Sequence, residues 1–223
     1  MDVNNRANES AKRAKQLSPS VQYAITAVLG NIMNGAFWGF TDMKDIMEHM
    51  EAIKAEPRIS ARKLGNACLL EVQPDFLLSA VQAVDPNALT QKDLNDIQTS
   101  MAEARISLEK FLLSNAKKGS FGGAVGIYCL NDVTTITYRG VSYPAFRTNM
   151  ADTLVLLNQY GYEINVDNRF VPARDAVNYG NKLWESSQLS PTRTGIFVNI
   201  RYANTVEFAK KKEAEFKQKY GLK

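Results

Sequence analysis

Apolar residues recur at steps of three and four through most of the first half of the chain, and at steps of two in several segments after Lys118. The first pattern predicts helices and the second predicts strands alternating with helices. Serine and proline at 18–20 start an apolar run at once, as a helix entry does. In "DMKDIMEHMEAIKAE", Met43, Ile46, Met47, Met50 and Ile53 fall on one face until Pro57 ends the helix. Further helices are expected over 60–70 and 74–84, with a turn at Asp85-Pro86. At Thr90, "TQKD" has the form of a capping box with Asp in place of the usual Glu or Gln. Leu94, Ile97, Met101, Ala104, Leu108 and Phe111 then form one stripe, predicting a helix to about Lys117 that packs on the N-terminal helices; a coiled-coil dimer would use the same stripe.

After Lys118 the expected order is β-β-α-β-α-β-α. "AVGIYCL" and "VTTITY" read as a hairpin turning at Asn131-Asp132. "TNMADTLVLLNQY" is a helix stopped by Gly161, and "YEINV" is a strand. "PARDAVNYGNKLWESSQ" is a helix begun by proline, "GIFVNIRY" the last strand and "NTVEFAKKKEAEFKQKY" the last helix. The expected fold class is α+β: an N-terminal helical region over 1–118, serving as scaffold or oligomerisation surface, followed by a basic domain over 119–223. That domain is a small mixed sheet of about four strands packed with helices.

Length and composition agree with a folded protein. The chain has 223 residues, 45% hydrophobic and 22% charged. Its net charge of +4 lies entirely in the second half, where residues 119–223 carry 13 Lys/Arg against 9 Asp/Glu and residues 1–118 carry 14 of each. An anionic partner is therefore expected to meet the second half. Cys68 and Cys129 form no C-x-x-C pair, which removes a zinc ribbon and a disulfide framework and favours a reducing, cytoplasmic setting. His49, the single histidine, occupies a polar helix position between Glu48 and Glu51. The polar N-terminus lacks the apolar segment of a signal peptide. No charge appears from Ser18 to Thr41, yet Gln22, Asn31 and Asn34 would be costly in lipid, so this stretch reads as a core helix, with Gly30 and Gly35 marking close packing or a break. No cofactor is implied. Asp132, Asp152, Asp167 and Asp175 sit where Asp is locally favoured, without metal-ligand or paired-acid spacing, and no enzymatic activity is expected.

Two stretches carry the candidate chemistry. "KKGSFGG" places Lys117 and Lys118 before Gly119, Ser120 and Gly122, so that exposed backbone N–H groups and two cations could meet a phosphate. Gly119-Ser120-Phe121-Gly122 is similar, over those four residues, to the G-x-x-G loop of the KH RNA-binding modules, which implies backbone clamping of RNA. There the loop joins two helices, whereas here it leaves a helix and is expected to enter a strand. The competing reading is a helix stop: lysines at the negative end of the dipole and Gly119 as a left-handed cap. The second stretch, "TYRGVSYPAFRTN", interleaves Tyr138, Tyr143 and Phe146 with Arg139 and Arg147, as stacking on unpaired bases beside a phosphate backbone requires; aromatics flanking a hairpin also close cores. In the last helix, Glu207–Lys211, Glu213–Lys217 and Glu215–Lys219 are spaced as i,i+4 pairs, leaving Lys210, Lys212 and Lys223 unpaired.

The function expected is non-enzymatic binding of RNA or another single-stranded nucleic acid through Lys117, Lys118, Gly119, Ser120, Gly122, Tyr138, Arg139, Tyr143 and Arg147, with homo-oligomerisation through the helical half and no membrane partner. The alternative is a structural or assembly protein, such as a viral or phage virion component, acting through helical interfaces. "RYANTVEF" at 201–208 resembles phage tail-completion proteins over eight residues, without the glycine that follows in them.

Overall fold

The computed structural model describes residues 17–32, 36–130 and 134–223. Ser18 caps α1 (Pro19–Ile32), its Oγ accepting from Val21 N–H at 3.3 Å. Val21, Ala24, Ile25 and Val28 of this helix are buried. The uncharged stretch does not remain helical: it turns into strand β1 (Trp38–Asp42), and Gly39 brings β1 close to α1, since a Cβ there would lie 3.0 Å from the Ala27 carbonyl oxygen. Gly30, by contrast, is exposed with open space around it, and Gly35 lies outside the described residues. The polar amides of α1 find backbone partners, Gln22 on Leu17 O at 3.0 Å and Asn31 on Ala27 O at 3.2 Å.

The amphipathic segment after β1 is a nearly continuous helix of α2 (Met43–Ile46), a 3₁₀ turn (Met47–His49) and α3 (Met50–Lys54). His49 ties it to α1: Nδ1 is 3.0 Å from Ser20 Oγ, and its ring lies 4.7 Å from that of Tyr23. The helix expected over 60–70 is instead the hairpin β2 (Ile59–Leu64) and β3 (Ala67–Val72), turning at Gly65-Asn66 with Gly65 at φ +59°. β3 is the centre of an antiparallel sheet ordered β1-β3-β2. A strand buried on both faces shows a run such as "ACLL" rather than alternation, and periodicity alone does not separate it from a buried helix. α4 (Pro74–Gln82) follows, with proline in its first turn.

α5 (Gln91–Ala116) begins with the expected capping box: Thr90 N–H donates to the Asp93 carboxylate at 2.8 Å, and Asp93 N–H donates to Thr90 Oγ1 at 3.2 Å. The chain divides within this helix into two compact units, residues 1–100 and 101–223.

In the second unit, β4 (Gly122–Ile127), β5 (Thr135–Tyr138) and β6 (Val141–Pro144) precede α6 (Met150–Gln159). Then come β7 (Tyr162–Val166), β8 (Arg169–Pro172), a 3₁₀ segment (Ala173–Tyr179), α7 (Asn181–Glu185), β9 (Gln188–Leu189), β10 (Ile196–Tyr202) and α8 (Val206–Tyr220). The main sheet is antiparallel and ordered β4-β10-β7-β8, with β9 also on β10. β4 therefore pairs with the last long strand and not with "VTTITY" as expected. β5 instead pairs with β6, across a two-residue turn in which Arg139 and Gly140 both have positive φ. The expected turn at Asn131-Asp132 lies outside the described residues. The long helix expected from Pro172 is interrupted as well: Pro172 ends β8, Asp167-Asn168 turn β7 into β8 with both φ positive, and Gly180 separates the 3₁₀ segment from α7.

Val125, Ile127, Ile164, Val198 and Ile200 share one face of the sheet, by register, with Tyr162 and Tyr202. The second half of α5 serves this core, with Tyr162 Oη donating to Leu112 O at 2.7 Å and Phe111 meeting Phe121 and Phe146. α8 is joined to α5 through Glu109, a buried carboxylate held by Lys219 at 3.3 Å and Tyr220 Oη at 2.8 Å. Among the described residues, no helix is long and apolar enough to cross a membrane.

Candidate nucleic-acid interface

Gly119 is the helix stop that its neighbours imply. It has φ +79°, and its N–H donates to Ala116 O at 2.9 Å. The loop then enters β4, leaving Gly119, Ser120, Gly122 and Gly123 exposed. A Cβ on Gly119 would lie 3.2 Å from Val206 Cγ2, so this loop runs against the first turn of α8. The end of α5 and the start of α8 thus form one corner. Lys117 and Lys118 are exposed there; Lys117 Nζ bonds Glu213 of α8 at 2.8 Å, while Lys118 Nζ reaches only Asn115 Oδ1, at 3.4 Å.

The charges of α8 are arranged differently from the i,i+4 scheme. Glu213 pairs with Lys117, Lys219 with Glu109, and Glu215 with Lys212 at 2.7 Å. Because α8 packs along α5, it finds partners across the interface that a helix alone in water would lack. Among the described residues, Lys118, Lys210, Lys211 and Lys217 make no ion pair within 4.0 Å. Lys210, Glu213 and Lys217 are three and four residues apart and share one side of α8, which is the side that meets Lys117. The Glu213 carboxylate is thus met by Lys117 from α5 and by Lys217 from its own helix, while Lys118 adjoins Lys117 in the chain and Lys210 lies one turn before Glu213 on α8. The Glu213 carboxyl is held below its ordinary range chiefly by the Lys117 hydrogen bond; desolvation opposes this, and the charges of Lys117 and Lys217 each add a smaller lowering effect. Sequence reasoning missed Lys217, because it was assigned to Glu213, and it set Lys210 aside as a solvated charge.

The aromatic–basic stretch is placed elsewhere. Tyr138 and Tyr143 flank Phe197 of β10, each ring 5.2 Å from it, and join a core of Ala124, Cys129, Ile136, Ala145 and Phe197. Both are half-buried. Arg139 is exposed at the hairpin turn, its guanidinium 5.2 Å from the Tyr138 ring, and Arg147 is only 9% exposed. Phe197 faces Gly126 on β4, four ladder positions or about 13 Å from the Gly122 end, so the hairpin rings and the lysine corner are separate features.

Further along that face Asn199 and Arg201 are exposed. Arg201 lies over the Phe170 ring at 4.5 Å and is already bonded to Glu163 at 2.5 Å. The carboxylates are dispersed: Asp152 meets Arg105 at 3.4 Å, Asp167 meets Lys182 at 2.8 Å, and Asp175 lies beside Arg174. Among the described residues, no three of His, Cys, Asp and Glu lie together as a metal site would need.

No protein-family model, curated protein or solved structure matches the chain.

Proposed function

We propose that this is a non-enzymatic nucleic-acid-binding protein of the cytoplasm, preferring RNA or other single strands, that holds the phosphate backbone at the corner between α5 and α8. The observation carrying this reading is that Lys117 of α5 and Lys217 of α8 act on one carboxylate, Glu213, with the exposed Lys118 and Lys210 nearby in the chain and the exposed backbone of Gly119 and Ser120 next to Lys118. Four cations against one anion leave a local excess, and the excess is what a polyanion meets. Lys210 and Lys217 are about 10 Å apart along the helix axis, a spacing that a flexible single strand can match by bending its backbone. Tyr138 and Tyr143, half-buried against Phe197, and Arg147, only 9% exposed, leave the proposed contact set. Arg139 remains as an exposed outlying cation.

The test is neutralisation of the corner. The triple variant K118Q/K210Q/K217Q is expected to lose most salt-dependent affinity for single-stranded RNA while melting at the parental temperature. Unchanged affinity would remove the corner from the reading.

A further inference from the structure

Glu213 meets lysines from both helices of the corner, Lys117 of α5 and Lys217 of α8. It sits on the side of α8 between Lys210 and Lys217, and its Oε1 is 2.8 Å from Lys117 Nζ on the neighbouring helix. Neither partner is sealed in, the side chains of Lys117 and Glu213 being 40% and 29% exposed. Had Glu213 served only to balance its own helix, Lys217 at i+4 was available in the favourable orientation. It reaches across to Lys117 instead, so Lys117 is already occupied by an anionic oxygen at hydrogen-bond distance.

Resting on the nucleic-acid reading above, we infer that the Glu213 carboxylate occupies the position of a backbone phosphate and competes with it for Lys117. The free corner then offers Lys118, Lys210 and Lys217 to a ligand, and Lys117 only after its bond to Glu213 is exchanged for one to phosphate. No covalent step is involved. The exchange replaces one charge-assisted hydrogen bond by another of the same kind, so a phosphate gains little by displacing the carboxylate and Lys117 stays on Glu213. The consequence is a built-in limit on affinity. Each phosphate neutralised on a single strand contributes about 0.7 to the salt exponent, which at 50 mM salt is about an eightfold gain in affinity.

The test is fluorescence anisotropy of labelled single-stranded RNA across a salt series with four proteins: parental, E213Q, K117Q and E213Q/K117Q. Thermal melts serve as the folding control. E213Q is expected to bind about eightfold more tightly at 50 mM salt and to steepen the salt exponent by about 0.7. Adding K117Q should abolish that gain, whereas K117Q alone should change little, because Lys117 is already engaged. A merely structural ion pair would lower the melting temperature in both single variants without this asymmetry in binding. If the parental protein binds RNA in a salt-dependent way and E213Q matches it, the competition is refuted while the nucleic-acid reading stands. If neither protein binds at 50 mM salt, both fall together.

Discussion

Replacing Tyr143 by alanine removes one of the two rings that flank Phe197, and it separates a packing role from a stacking role. The ring lies 5.2 Å from Phe197 in an edge arrangement and is half-buried. An aromatic side chain covers about 150–250 Å² when fully buried, so half-burial at about 25 cal/mol per Å² amounts to roughly 2–3 kcal/mol. The ring pair adds about 0.5–1.5 kcal/mol, and the compactness of the unfolded chain takes back a similar amount. A loss of about 2–3 kcal/mol lowers the melting temperature of a chain of this size by roughly 5–10 °C. The assay is paired: calorimetric melting, and RNA anisotropy at a temperature well below both transitions. The expected result is a lower melting temperature with unchanged affinity. An unchanged melting temperature with a loss of affinity of tenfold or more, the size of one base–aromatic stack, would show that the ring is displayed to ligand and refute its assignment to the core.

Gly161 has φ +75°, and a Cβ there would lie 2.8 Å from Asn204 Cβ, so Gly161→Ala combines left-handed strain with overlap. It should cost about 2–3 kcal/mol, read as a lower urea midpoint; a change below about 0.5 kcal/mol would mean that the α6–β7 junction relaxes freely. Burial pushes the thiols of Cys68 and Cys129 up to about 11 and about 12, although nearby backbone hydrogen bonds oppose it. Both should resist Ellman's reagent at pH 8 in the native protein and react in urea, and rapid labelling of the native protein would contradict their burial. Because the folded values are raised, the thiols' contribution to stability is complete below the unfolded pKa of about 8.5 and is lost as pH rises towards the folded values, so urea midpoints should fall above about pH 9.

Elements governed by neighbours in the chain were legible in the sequence: the Thr90–Asp93 capping box, the Gly119 stop and the α6 helix ending at Gly161 all have local causes. The α+β class and a sheet of about four strands followed from the change of period after Lys118. What was not legible depends on partners far along the chain. β3 is buried on both faces and so carries no alternation, which made 60–70 look helical. β4 pairs with β10, some seventy residues away, although a nearer β-rich segment was available. Asp167-Asn168 does not carry the glycine that usually marks a turn of two left-handed residues, so β8 was not expected and the helix was started at Pro172, which ends that strand. The candidate site shifted for the same reason. Local spacing assigned Glu213 to Lys217, whereas the fold brings it to Lys117, 96 residues distant. Lys217 joins the proposed site because α8 brings Glu213 to Lys117 of α5, and Tyr138 and Tyr143 are set apart from it because both rings pack on Phe197 of β10.

The central claim is electrostatic capture of a phosphate backbone, and the salt dependence of RNA affinity in the unmodified protein tests it most directly. Three available lysines at about 0.7 each give an expected slope near −2 for log K against log salt concentration, with binding readily measured at 50 mM salt and weak at 200 mM. Absence of binding at 50 mM, or binding with a slope near zero, would contradict the account.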